Sequence, residues 1–381
     1  MVKLVDVGSI ASYFESLSDP RHTRNRKHRL VDITVPSVCA ILCGCGGPTA
    51  MHRWATERQE WLAQHLPLAN GIPSRDCIRR LLMMLRPEAF RRRFRHRIAH
   101  ALPSDEKAPH RLVAIDGKTC RGSRDAANHL GPPHLVSAWA GEEGIALGQV
   151  ATDAKSNEIT AIPLLLEQIA LPKTIVTIDA MGCQKDVVAQ IVKGQGTAVL
   201  AVKDNQPKPH AAIEAFFAER IEHDFDDVRY RVHETHDQGH GRIDERSYYL
   251  AKLPRDFAPA AEWPRVKAIG YAMRRTKHAD GRETGEVRYY IGTRYLSGKR
   301  FAEAVRGHWS IESMHWVPDV TFREDDSRTR ERTLGNNPGW LRRFAITLLK
   351  RHPADDGIKG KMRRRSYNTA FRTEVLTMNQ V

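Results

Sequence analysis

The chain is short of cysteine, short of aromatic residues and free of long apolar runs. Its 381 residues hold six cysteines: Cys39, Cys43, Cys45, Cys77, Cys120 and Cys183. So few, so irregularly spaced, exclude a disulfide framework and suit a reducing, cytoplasmic setting. Cys39, Cys43 and Cys45 lie in an apolar stretch with no histidine or second cysteine pair at zinc spacing, so they read as small buried side chains. Pro36 and Gly44 interrupt that stretch, which is too short to cross a bilayer, and no membrane partner is expected. The opening MVKLVDVGSIASYF has neither the basic start nor the apolar stretch of a signal peptide, so none is expected. The lone Gly194-Gln195-Gly196 is too little to argue a phosphate loop.

Acidic residues are also in deficit. Lys and Arg number 60 against 45 Asp and Glu, a formal charge of +15, with a pI near 9.7. An excess of this size points to a polyanionic partner, nucleic acid before a membrane surface, although charge alone names no ligand. The basic residues gather locally. Arg21–Arg29 (RHTRNRKHR) reads as a basic loop. In PEAFRRRFRHRIAHAL, Phe90, Phe94 and Ile98 recur every fourth residue, while Arg91, Arg92, Arg93, Arg95 and Arg97 crowd the other faces. That helix could lie against DNA phosphates, with Arg91, Arg92 and Arg95 in contact, or be a solvated helix on a bundle. The run from Lys359 to Arg365 reads as a flexible basic tail.

The texture of the chain divides it. Residues 1–107 read as a helical domain; residues 108–350 alternate strand and helix, with a charged, β-rich insertion at 206–297; residues 351–381 form the tail. Within the alternating part, RLVAIDGK carries four apolar residues straight into Asp116, and Gly117 then breaks the run. Taken alone, Asp116 reads as a strand-end turn residue. KTIVTIDAMGCQ repeats the design, with an apolar and β-branched strand ending in Asp179. Two such strands side by side would present two carboxylates at one sheet edge. The arrangement matches a ribonuclease H-like layout, in which carboxylates from separate elements converge on two Mg2+ ions. A third must come from a helix after the insertion. In RGHWSIESMHW, Glu312 stands one turn after His308 and one turn before His315. Pro318 is expected to end or kink that helix, which makes Asp319, Glu324, Asp325 and Asp326 weaker candidates.

These stretches, with LSDPRHTRNRKHRL, AIDGKTCRGS, KSNEITAIP and AVKDNQP, resemble the DDE-type insertion-sequence transposases, in the subgroup of the H-repeat-associated proteins. The resemblance covers most of the chain. It places Asp116, Asp179 and Glu312 at the family's catalytic, metal-holding triad. It also implies an α/β, ribonuclease H-like core behind a helical transposase-associated domain, with Mg2+ (Mn2+ as a substitute) as cofactor. Further implications are double-stranded element-end and target DNA as partner, a homo-oligomer, a dimer, on that DNA, and a nucleoid-associated location. Lys118, Gln184, Lys203, Arg306 and His308 would contact DNA near the site. Two departures stand out. Only Ser313 and Met314 separate Glu312 from His315-Trp316, one residue fewer than the family pattern, and Pro318 replaces an apolar residue. One missing residue turns the remainder of a helix by roughly 100°. A catalytically decayed derivative that still binds DNA is therefore the alternative to an active transposase.

Overall fold

A computed structural model describes residues 14–15, 17–85, 110–120, 131–152, 158–223, 225, 228–239, 241–326 and 332–377, with residues 25, 313, 332–338 and 376–377 as backbone only. Arg91, Arg92 and Arg95, and the helix expected around them, lie outside the described residues.

The N-terminal part forms α1 (Leu30–Leu42), α2 (Pro48–Glu57), α3 (Gln59–Ala63) and α4 (Arg75–Met84). All thirteen residues of α1 are buried, Pro36 among them, which is why its sequence is apolar around the whole turn. Ser74 caps α4 by accepting from the Cys77 N–H at 3.2 Å.

A nine-stranded sheet forms the centre of the molecule. Its first three strands are β1 (Arg111–Thr119), β2 (His134–Ala140) and β3 (Ile145–Thr152), an antiparallel meander. Helix α5 (Glu158–Leu166) leads to β4 (Thr174–Ile178), and α6 (Lys185–Lys193) leads to β5 (Thr197–Val202). Strand β4 runs parallel to β1, and β5 parallel to β4. The burial of β4 on both faces explains its uninterrupted TIVTI sequence.

Helix α7 (Pro207–Glu222) opens the stretch expected to be β-rich. Pro207 stands in its first turn, where a missing N–H costs nothing, so it starts this helix rather than breaking it. The meander β6 (Tyr230–Gly239), β7 (Arg242–Lys252), β8 (Ala268–His278) and β9 (Glu283–Gly292) comes next. It does not stand apart. Strand β9 pairs antiparallel with β5, so the order across the whole sheet is β3-β2-β1-β4-β5-β9-β8-β7-β6.

Helix α8 (Gly298–Trp316) then crosses one face of this sheet against β1 and β4, and reaches β6 and β7. Beyond Trp316 the chain does not stop but widens into a π-helical turn, Val317–Thr321, that contains Pro318. Helices α9 (Arg332–Arg351), α10 (Ile358–Tyr367) and α11 (Thr369–Thr377) complete the chain. Helix α9 packs on β3 and on α1 and α4, which ties the N-terminal helices to the core.

The basic stretch expected to be a flexible tail is folded. Arg365 is fully buried in α10, and Arg372 of α11 donates from Nε to the Arg365 carbonyl at 3.0 Å. The Arg372 guanidinium also stands 5.1 Å from the Trp61 ring centre. Ring and backbone partners take up the Arg372 guanidinium, whereas that of Arg365 is buried without a hydrogen-bond partner among the described residues.

Candidate active site

The register of the parallel strands builds the centre. Ile115 of β1 pairs with Ile178 of β4, so the next residues on each chain, Asp116 and Asp179, stand side by side. Both carboxyls are pushed above the usual range. Burial is the largest cause at Asp116, whose pKa rises to about 7, with the Asp179, Glu158 and Glu312 charges adding to it. Burial also dominates at Asp179, joined by Glu158 and eased by the Lys203 ammonium. The Gly182 N–H donates to Asp179 Oδ1 at 3.3 Å and fixes the turn after β4.

Helix α8 turns two imidazoles toward these strands. His308 Nδ1 lies 3.1 Å from the Thr177 hydroxyl, and His315 Nε2 lies 3.6 Å from Asp116 Oδ2. Burial holds both neutral, lowering His308 to about 4 and His315 to about 3. Glu312 sits between them in sequence but is exposed, beside a separate hollow with Trp316, Lys350 and Lys359. Its charge still reaches Asp116. As placed, no three His, Cys, Asp or Glu side chains among the described residues are arranged to hold a metal ion.

The other expected contacts fall in three groups. Gln184, Lys203 and His308 line one cavity of about 400 Å³ together with Asp179, so the structure brings these four together. Arg306 lies farther along α8, exposed, with Nη2 3.2 Å from Asp237 of β6. It lines a second hollow with Arg242, Arg246, Arg274 and Trp309. Arg288, Tyr290 and Val305 wall both cavities.

Lys118 departs most from expectation. Its side chain is buried, and the ammonium is bound to Asp319 and, at 3.1 Å, to Glu324 Oε2. Asp325 stands 3.7 Å away. Burial would raise the Glu324 carboxyl, but Arg343, Lys118 and Arg342 together hold it well below the carboxylate range. The charge of Lys118 is thus committed to the protein's own carboxylates, not presented outward. The π-helical turn is what carries Asp319 back to β1.

Two buried polar groups beside β1 escaped the sequence. Glu158, at the start of α5, and His134, at the start of β2, are 3% and 1% exposed and face each other beside Gly117. The only hint was that Glu158 falls inside the KSNEITAIP stretch.

The sequence comparisons bear on what this cluster does. A family profile described as Transposase DDE domain matches residues 107–334. The chain belongs to the DDE transposases. A second profile, DDE_Tnp_1-associated, matches residues 11–97. Relatives of the chain include "Putative transposase YncI" of Escherichia coli O157:H7, 36% identical over 98% of this chain and 95% of that protein. Another is "H repeat-associated putative transposase YhhI" of Escherichia coli strain K12, 32% identical over 98% of each chain. These place the transposase in the H-repeat group. A solved synaptic complex of piggyBac transposase with hairpin DNA aligns over 98% of this chain and 77% of that one, at a TM-score of 0.41 and 10% identity. That likeness is too loose to carry an argument. Among the described residues no helix is long and apolar enough to cross a membrane.

Proposed function

We propose that this transposase cleaves and rejoins element-end DNA by divalent-metal-dependent phosphoryl transfer, with Asp116, Asp179 and Glu312 as its carboxylates. The observation that carries this reading is the Asp116–Asp179 pair, two half-buried carboxyls set side by side by the β1–β4 register. Buried like charges repel, and a cation between them removes the penalty. Burial holds the His315 imidazole beside Asp116 neutral, and Lys118 is engaged elsewhere. The donor set also fits the ion: hard carboxylate oxygens without thiolates suit Mg2+, with Mn2+ as a substitute. Glu312 completes the set only if the C-terminal turns of α8 bring it inward. The ribonuclease H-like reading draws support from the order β3-β2-β1-β4-β5, antiparallel through β1 and parallel beyond it.

A bound divalent ion supplies an activated oxygen nucleophile and stabilises the leaving oxygen. The chain's own part is positioning. Lys203, exposed on the rim of the Asp179 cavity, and Gln184 beside it are placed to take phosphate oxygens. Neutral His308 holds the Thr177 hydroxyl and offers a ring edge to the same cavity. DNA, and a dimer assembled on it, are the partners this reading requires.

A second reading has a specific observation behind it. Glu312 is exposed where the two aspartates are half-buried, and His315 occupies the side of α8 that meets Asp116. A derivative that binds DNA without cutting it would result from that rotation. Strand cleavage on element-end DNA with Mg2+ separates the two. Asp116→Asn, Asp179→Asn and Glu312→Gln should each abolish cleavage and leave DNA affinity nearly unchanged. A variant that cuts normally removes its residue from the set.

A further inference from the structure

Alternation along β7 puts Arg242, Asp244, Arg246 and Tyr248 on one face of the sheet. The register sets Asp237 of β6 and Thr276 of β8 on either side of Asp244, Arg274 of β8 beside Arg246, and Glu286 of β9 beside Arg274. Directly opposed residues share a face, so all of these lie together. Arg288 and Tyr290 follow Glu286 at the same alternation. Val305, Arg306 and Trp309 of α8 close this face into a hollow of about 310 Å³.

One carboxylate fixes most of its cations. Asp244 is 4% exposed. It accepts from Arg274 Nε at 3.1 Å and Nη2 at 2.9 Å, from Arg246 Nη2 at 2.8 Å and from the Thr276 hydroxyl at 2.6 Å. Arg242 Nε stands 3.4 Å from it. Three guanidiniums on long, flexible side chains are thus held in one arrangement. Asp237 takes Arg246 and Arg306, and Glu286 takes Arg288 Nε at 2.7 Å. The Arg288 guanidinium also lies 4.3 Å from the Trp309 ring centre. These three carboxylates meet five guanidiniums, so the cluster keeps an excess of positive charge. The hollow also adjoins the candidate active site, because Arg288, Tyr290 and Val305 wall both it and the Asp179 cavity. A strand with a phosphate at Asp179 can continue directly into the arginines.

We propose that this hollow is a second DNA site, in which Arg242, Arg274 and Arg288 hold backbone phosphates of the strand leaving the Asp179 cavity. Asp244 is the positioning residue that sets the first two. The proposal rests on the reading of DNA as substrate, and does not need the metal. Guanidinium forks match phosphate oxygens in pairs, and such contacts position a duplex without reading its sequence.

Fluorescence anisotropy of a labelled duplex carrying the element ends, in EDTA and over a range of salt, tests it, with thermal melting as the measure of folding. Arg242→Gln and Arg288→Gln should each weaken binding several-fold and lower the salt slope by about one. Asp244→Asn makes the chain more positive, so charge alone predicts tighter binding. The proposal predicts weaker binding with a lower slope, because the arginines lose their fixed arrangement. Equal or tighter binding by a folded Asp244→Asn overturns its positioning role, and wild-type affinity and slope in both arginine variants overturn the site. A wild-type chain that does not bind the duplex overturns the DNA reading itself. If Asp244→Asn does not fold, the wild-type chain still decides the matter. Bound duplex should shield Arg242 and Arg274 together from phenylglyoxal, and equal labelling with and without DNA overturns the proposal. Shielding by AMP as complete as that by the duplex would assign the hollow to a free nucleotide and overturn it as well.

Discussion

Lys118 stands two positions after Asp116 on β1, and the protein uses it as the hub of a buried ion network. Glu324 accepts from it, from Arg342 at 3.4 Å and from Arg343 at 3.3 Å. Breaking a buried pair by removing one partner strands the other charge, at a cost of roughly 3–5 kcal/mol. Urea unfolding of Lys118→Met should show a loss on that scale, whereas a loss below about 1 kcal/mol would mean that the network contributes little. The network also has a pH signature. The folded-state pKa of Glu324 is depressed below its ordinary 4.5, so its contribution is fully present above that value and fades as pH falls below it. Melting temperatures of wild type and Glu324→Gln should differ most near neutral pH and converge on acidification. A gap that widens toward low pH would contradict the assignment. Little of this was legible in the sequence, because Asp319 and Glu324 lie 201 and 206 positions from Lys118. Asp116 and Asp179 were legible, since each ends an apolar strand whose pattern is local. Glu158 and His134 were not, because a lone glutamate opening a helix has a sufficient local explanation.

At the scale of the element, β1 shows how little freedom the centre has. Gly117 is a close-approach glycine, with His134 and Glu158 on the side where its Cβ would project. Gly117→Ala must push that pair aside, and overpacking of this kind costs about 1–3 kcal/mol. Thermal melting should register the loss; an unchanged melting temperature would mean that the pair moves freely. Strands β1 to β5 were readable because burial on both faces leaves nearly unbroken apolar runs. Strands β6 to β9 run longer than their apolar segments suggested, since their outer halves, such as Thr235–Gly239 and Glu283–Glu286, are held by ladder pairing with little burial. The stretch after Trp316 differed from a simple helix stop for a physical reason. The π-helical turn accommodates Pro318 and lets the Glu324 N–H reach the Pro318 carbonyl at 2.8 Å.

Over the whole molecule, the N-terminal helices and the last helices described close on each other. Phe371 and Val375 of α11 are buried, and Trp61 of α3 donates to the Thr373 hydroxyl at 3.3 Å. A chain truncated after residue 351 should therefore expose the N-terminal helices to proteolysis within a cleavage pattern that spares the sheet; equal resistance in both would contradict this docking. Composition could not reveal it, because the +15 charge reads as a solvated surface wherever its residues lie. If that charge faces DNA, binding should weaken steeply with salt, the logarithm of affinity falling linearly with the logarithm of salt concentration. A flat response would assign the charge elsewhere. The central claim is that Asp116 and Asp179 are the core of a metal-dependent DNA-cutting centre. The most direct measurement is strand cleavage by the wild-type chain on DNA carrying its own element ends, with Mg2+ and with EDTA, beside Asp179→Asn. The account predicts nicks at the element ends with Mg2+ alone, absent in EDTA and in the variant. Tight binding of the same DNA by the wild type without any cleavage would contradict it.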